Sequence, residues 1–234
     1  MRRKTAEMGE RREIVYDASR WKTLKEKRAR AVEIIGALEV RQIDALVFGS
    51  IARGDVKPSS DVDVFIPTVV SSMIVSIALD RAGVIGMSVV QATPRSLIKA
   101  TVDLEGNATV TYPLIAPREI ELEFYRFGGS LGLPGLQKNE RTCGVDKRLM
   151  LIEPTQEGHV ETPLSDLSPG LVARKLKVSQ QIVEERLRVL ERRADVGRTG
   201  VYLHRQLAPG ESPEQVLNDL IATDPAIRRR VEIG

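Results

Sequence analysis

A chain of 234 residues, 42% of them hydrophobic, is long enough to bury a core and to hold two modest domains. Cys143 is the only cysteine, which excludes an internal disulfide; His159 and His204 are the only histidines, so a closed Cys/His zinc site is nearly excluded and any metal must be held by oxygen. The 35 Lys and Arg against 32 Asp and Glu leave a net charge of only +3, yet residues 171–205 hold nine basic residues against four acidic ones, a concentration that favours a polyanionic partner there.

No apolar run is long enough to span a bilayer, and the Arg-rich start MRRKTAEMGERR lacks the apolar segment of a secretory signal, which predicts a soluble, cytoplasmic protein. In chain order, REIVYD (residues 12–17) predicts a short strand. A helix capped by Asp17 or Ser19 follows, with Trp21, Leu24, Ala31, Ile35 and Leu38 as its apolar stripe. Residues 45–48 and 62–66 predict two short strands, the second closed by Pro67. Ser71 or Ser72 caps a helix bearing Met73, Ile74, Ile77, Ala78 and Leu79 that stops near Gly83. Residues 87–92 predict a strand, 94–102 a short helix, 108–115 a strand and 119–127 a further extended segment. Four glycines and a proline in residues 128–135 predict an interdomain linker over 128–146.

The second half starts with a strand in residues 146–154. Two tightly joined helices follow, the first beginning near Pro169 and the second capped by Ser179, with Ile182, Val183, Leu187 and Leu190 as its buried face. Residues 195–207 predict a hairpin around Arg198-Thr199-Gly200, which completes a winged-helix order. Ser212-Pro213-Glu214-Gln215 is a capping box, and Asp224-Pro225 starts a last helix. The predicted domains are therefore 1–127, the linker 128–146, and a winged-helix-like 147–234.

The densest chemistry lies in VFGSIARGDVKPSSDVDVFI, residues 47–66. Strand alternation places Asp61 and Asp63 on one face, and two adjacent carboxylates ask for a divalent cation. The Gly49-Ser50 turn offers backbone amides and a hydroxyl suited to phosphate. Metal beside phosphate suggests nucleotidyl chemistry.

These residues, Gly49-Ser50, Ala52-Arg53-Gly54 and Ser60-Asp61-Val62-Asp63 with the apolar Val64-Phe65-Ile66, resemble the nucleotidyltransferase superfamily typified by DNA polymerase beta and the CCA-adding enzymes. The chain also looks like an archaeal group of predicted nucleotidyltransferases. The resemblance implies an α+β fold with a mixed sheet flanked by helices, magnesium as cofactor, and an NTP, ATP foremost, as substrate. Carried over by position, Gly49, Ser50, Arg53 and Ser60 bind nucleotide, and Asp61 and Asp63 bind metal; Arg53 reads equally as a surface arginine. Active members carry a third carboxylate on a later strand. Here residues 109–114 offer threonine instead; Asp103 and Glu105 precede that strand, Glu121 and Glu123 follow it and could reach in, and Glu123 is the preferred substitute.

Two functions follow. The first is transfer of a nucleoside monophosphate to a hydroxyl on RNA, protein or a small molecule, catalysed by Asp61, Asp63 and Glu123. Arg186, Arg188, Arg192, Arg193 and Arg198 are the candidate nucleic-acid contacts, although they spread around the helix and cannot all face one groove. The second is a lapsed enzyme that senses nucleotide while binding DNA or RNA.

Overall fold

The computed structural model describes residues 9–197 and 200–233, with the side chains of residues 190 and 193–196 left aside. The chain divides into two compact units that interleave in sequence, bounded by Met1–Arg30, Val47–Ser60 and Leu122–Thr199 for the first, and by Ala31–Leu46, Asp61–Glu121 and Gly200–Gly234 for the second. The expected N-terminal and C-terminal halves are thereby corrected. Strand pairing between segments remote in sequence, described below, is the reason.

Strand β1 (Arg12–Val15) leads into helix α1 (Ala18–Glu39), capped by Asp17, whose Oδ1 accepts the Arg20 N–H at 2.7 Å. Leu24, Ala31, Ile35 and Leu38 of α1 are buried, as its apolar spacing predicts, Ile34 is buried beside them and Trp21 is half-buried. Then come β2 (Leu46–Phe48), the one-turn helix α2 (Ser50–Arg53), β3 (Val62–Phe65) and α3 (Ser72–Ala78). The burial of α3 departs from expectation: Val75 turns inward, while Met73, Ile74 and Ile77 are exposed.

Strands β4 (Val84–Gln91), β5 (Lys99–Leu104) and β6 (Ala108–Pro113) form an antiparallel meander. The short helix expected over residues 94–102 is replaced by a turn, in which Gln91 Nε2 donates to the Ser96 carbonyl at 3.0 Å, and by the start of β5. Ala100, Val102 and Leu104 are buried while Lys99, Thr101 and Asp103 are half-buried, a period of two that belongs to a strand.

Residues 119–127 are not extended but form α4 (Glu119–Phe127). Glu119 and Glu121 in its first turn and Arg126 in its last complement the helix dipole, which outweighs the local alternation of EIELEF. The expected linker is also corrected, because it folds into β7 (Ser130–Gly132), α5 (Leu133–Gln137) and β8 (Gly144–Val145). Its glycines serve close packing: at Gly129, with φ of +81°, an added Cβ would lie 2.8 Å from Arg53 Cγ and 3.0 Å from the Cys143 carbonyl.

Strands β9 (Met150–Pro154) and β10 (Gly158–Pro163) precede a 3-10 turn at Leu164–Asp166 and two helices, α6 (Pro169–Leu176) and α7 (Gln180–Val196). Ser168 Oγ caps α6 through Leu171 N–H, and Ser179 Oγ accepts from Ile182 N–H at 3.3 Å at the start of α7. Strand β11 (Leu203–Gln206) and helices α8 (Pro213–Thr223) and α9 (Pro225–Ile233) complete the chain, with the Ser212–Gln215 capping box formed as predicted.

In the first unit, β1, β10, β9 and β8 lie side by side in that order, all antiparallel. In the second, the order is β11-β4-β5-β6-β3, with β3 parallel to β6 and the other neighbours antiparallel. Among the described residues the expected hairpin at 195–207 does not form: β11 pairs instead with β4, Leu203 opposite Gln91. Helices α8 and α9 bury Val216, Leu217 and Ile227 in one hydrophobic core cluster of this unit, together with Val89, Leu97, Ile98 and Ile115. No helix of the described residues is long and apolar enough to cross a membrane.

Candidate functional site

Strand β3 buries Val62 and Val64, and alternation turns the half-buried Asp63 to the opposite face, while the exposed Asp61 immediately precedes the strand. The parallel register sets Asp63 opposite Thr109, and the antiparallel register of β6 with β5 sets Thr109 opposite Asp103. One polar face therefore carries Asp63, Thr109 and Asp103 in a row across three strands. Thr109 Oγ1 donates to Asp63 Oδ1 at 3.0 Å, and Thr101 and Thr111 face each other at 3.4 Å in the adjoining row.

Lys99 shares this face. Burial pushes its ammonium pKa down, while the carboxylates of Glu121 and Asp63 pull it back up. Glu121 is itself held by Arg118 at 2.8 Å and Arg230 at 2.9 Å. Of these neighbours of Asp63, Lys99 was not foreseen, because its place on the face depends on reading residues 99–104 as a strand. Thr109 was legible only through the alternation of Thr-Val-Thr-Tyr.

Gly49 adopts φ 76°, ψ −142°, a conformation suited to glycine, and its N–H donates to the Gly129 carbonyl at 2.9 Å. Ser50 opens α2 and its hydroxyl donates to Ser60 Oγ at 3.3 Å; Ser60 Oγ in turn accepts from Lys57 N–H at 2.9 Å. The loop after α2 is thus closed on its own two serines.

Arg53 requires a correction. It is 5% exposed, and its guanidinium pairs with both oxygens of Asp55 at 2.9 Å and donates to the Gly128 carbonyl at 2.6 Å. A buried planar fork paired with a carboxylate and a carbonyl braces the fold and is largely committed within the protein.

Glu123 is the second correction. It is 7% exposed on α4, and its Oε1 and Oε2 accept the backbone N–H and hydroxyl of Ser179 at 2.7 and 2.5 Å. It is a capping carboxylate rather than a free third acid.

The basic residues of α7 are divided in role. Arg186 lies over the Phe124 ring, 4.9 Å from its centroid, whereas Arg188 and Arg192 are exposed one turn apart. The Arg193 side chain and Arg198 lie outside the described residues.

Among the described residues no three His, Cys, Asp or Glu side chains gather into a metal-binding cluster. Two carboxylates at the start of one strand, with threonine hydroxyls beside them, still form a hard oxygen donor set. Such a set fits magnesium, which keeps much of its water and takes one or two carboxylates plus substrate phosphate.

Residues 28–86 match the model of the nucleotidyltransferase domain family, a stretch running from within α1 into β4 and containing Gly49, Ser50, Ser60, Asp61 and Asp63. Over this segment the chain is similar to nucleotidyltransferase domains of the DNA polymerase beta-like superfamily. No curated protein and no solved structure matches the chain.

Proposed function

We propose that this chain is a magnesium-dependent nucleotidyltransferase that moves a nucleoside monophosphate from an NTP, ATP foremost, to a hydroxyl acceptor. The observation that carries the reading is the Asp61–Asp63 pair, two residues apart at the start of β3, inside the segment that matches the nucleotidyltransferase domain family. Asp61 and Asp63 hold the metal, and the Gly49-Ser50 turn with Ser60 holds the triphosphate. Bound magnesium supplies charge neutralisation on the triphosphate. The acceptor oxygen forms a bond to the α-phosphorus, the bond from that phosphorus to its bridging oxygen breaks, pyrophosphate leaves and the hydroxyl proton passes to solvent. Holding the two oxygens in line supplies much of the rate by positioning alone.

Exposed Arg188 and Arg192 on α7 offer phosphate contacts to an RNA or DNA acceptor, with strongly salt-dependent binding as the consequence. A second reading, a nucleotide-sensing regulator that binds nucleic acid without turnover, is favoured by one feature: the residue opposite Asp63 is Thr109, not an acid.

Incubation with labelled NTPs, magnesium and total RNA separates the two. Incorporation that disappears in Asp61→Ala and Asp63→Ala supports the transferase. Retained ATP binding and nucleic-acid shift without incorporation overturns it in favour of the regulator.

A further inference from the structure

The first unit contains a polar cavity of about 150 Å³ lined by Arg12, Arg20, Lys57 and Arg148 together with Asp55, Asp146 and Glu161. Every acid in it is already matched. Asp55 is held by Arg53, Asp146 by Arg148 at 2.6 Å, and Glu161 by Arg12 at 2.8 Å and Arg148 at 2.5 Å. His159 Nε2 adds a further contact to Glu161 at 3.1 Å from beneath, and its Nδ1 meets the Tyr16 hydroxyl at 2.6 Å.

Two cations are left over. Arg20 lies over the Tyr16 ring, 4.2 Å from its centroid, and its Nε is buried with no hydrogen-bond partner. Lys57 is exposed, with no carboxylate in ion-pair range of its ammonium among the described residues. Arg20 and Lys57, with every acid of the lining already paired, leave the cavity with uncompensated positive charge, which suits an anion.

Size narrows the anion. The cavity is smaller than the roughly 300–1,000 Å³ typical of sites that enclose a whole organic ligand. It has room for one tetrahedral oxyanion and accompanying water, not for a nucleoside. Its position narrows the role, because Asp55 and Lys57 sit on the loop between α2 and Ser60, next in sequence to the residues proposed to hold the triphosphate.

We propose that this cavity binds the phosphate group of a phosphorylated acceptor, with Arg20 and Lys57 as its ligands and the Arg12–Glu161–Arg148 network as its rigid floor. The acceptor role rests on the transferase reading above, whereas phosphate binding itself does not.

The test is calorimetric titration of the full chain with inorganic phosphate at low ionic strength, without nucleotide or metal. Saturable binding is expected, weakened about tenfold or more in Arg20→Gln and several-fold in Lys57→Gln, as loss of a charge-assisted contact implies. Lys57 is exposed, so Lys57→Gln folds and keeps the test decisive if Arg20→Gln does not. Absence of saturable binding, or binding unchanged in Lys57→Gln, overturns the site. In a second arm magnesium and ATP are added. Phosphate and ATP bound together support an acceptor site, while displacement of phosphate by ATP assigns the cavity to the donor triphosphate and overturns the acceptor role. Phosphate binding that persists when no incorporation is found under any condition upholds the anion site and overturns the transferase reading alone.

Discussion

Glu123 receives both the N–H and the hydroxyl of Ser179, at 2.7 and 2.5 Å, tying α4 to the first turn of α7 across 56 residues of sequence. Ser179→Ala is expected to cost about 1–2 kcal/mol by removing both the cap and a charge-assisted hydrogen bond. Glu123→Gln is expected to destabilise similarly while leaving ATP binding in the presence of magnesium unchanged. Urea denaturation alongside nucleotide titration checks both, and a loss of metal-dependent binding in a folded Glu123→Gln would return that residue to the metal site.

Thr109 stands directly opposite Asp63 and hydrogen-bonds to it. Thr109→Asp places two carboxylates across the strand pair, and like charges so placed cost roughly 0.2–1 kcal/mol without metal. With magnesium the sign reverses, since a third oxygen ligand is gained. The variant is expected to melt lower than wild type in chelator and to show the larger upward shift on adding magnesium; equal shifts in both proteins would separate Asp63 from any metal.

Glu161 is 4% exposed and the guanidinium groups of Arg148 and Arg12, with His159, draw its carboxyl pKa down to about 2 from 4.5, against the opposing effect of burial. Its folded pKa is depressed, so its stabilisation is fully present above pH 4.5 and is lost as the pH falls toward 2. At pH 7 Glu161→Gln is expected to lower stability by about 2–3 kcal/mol. Denaturation at pH 7 and at pH 3 should show the gap between the two proteins narrowing in acid.

Gly158 faces Val15 in the β1–β10 pair, and a Cβ there would lie 1.8 Å from the Ile14 carbonyl oxygen. Backbone cannot step aside as a flexible side chain can. Gly158→Ala is expected to cost about 3 kcal/mol or more, or to detach β1, an overpacking effect measurable by thermal denaturation and by faster amide exchange at Ile14 and Tyr16, whose N–H groups face β10, that of Tyr16 donating to the Glu157 carbonyl at 2.9 Å.

Much of the local structure was legible because its causes are local. The caps at Asp17, Ser179 and Ser212, the apolar stripe of α1 and the short strand that carries Asp63 all follow from side chains within a few residues of one another. Three segments were misread where local pattern and tertiary environment disagree. Residues 119–127 alternate like a strand but coil into a helix, residues 99–102 carry no helix because β4 and β6 offer partners on both sides, and the glycines of 128–135 allow backbone to approach Arg53 and Cys143 rather than to flex.

By itself the sequence determined the Gly49-Ser50 turn and the spacing of Asp61 and Asp63, since both depend only on backbone periodicity and on residue chemistry at fixed intervals. Tertiary structure alone decided what surrounds them: Lys99 beside Asp63, Glu123 committed to Ser179, Arg53 committed to Asp55, and β11 added to β4. Those outcomes depend on strand register and on which distant segments meet, which the period of a single segment does not specify.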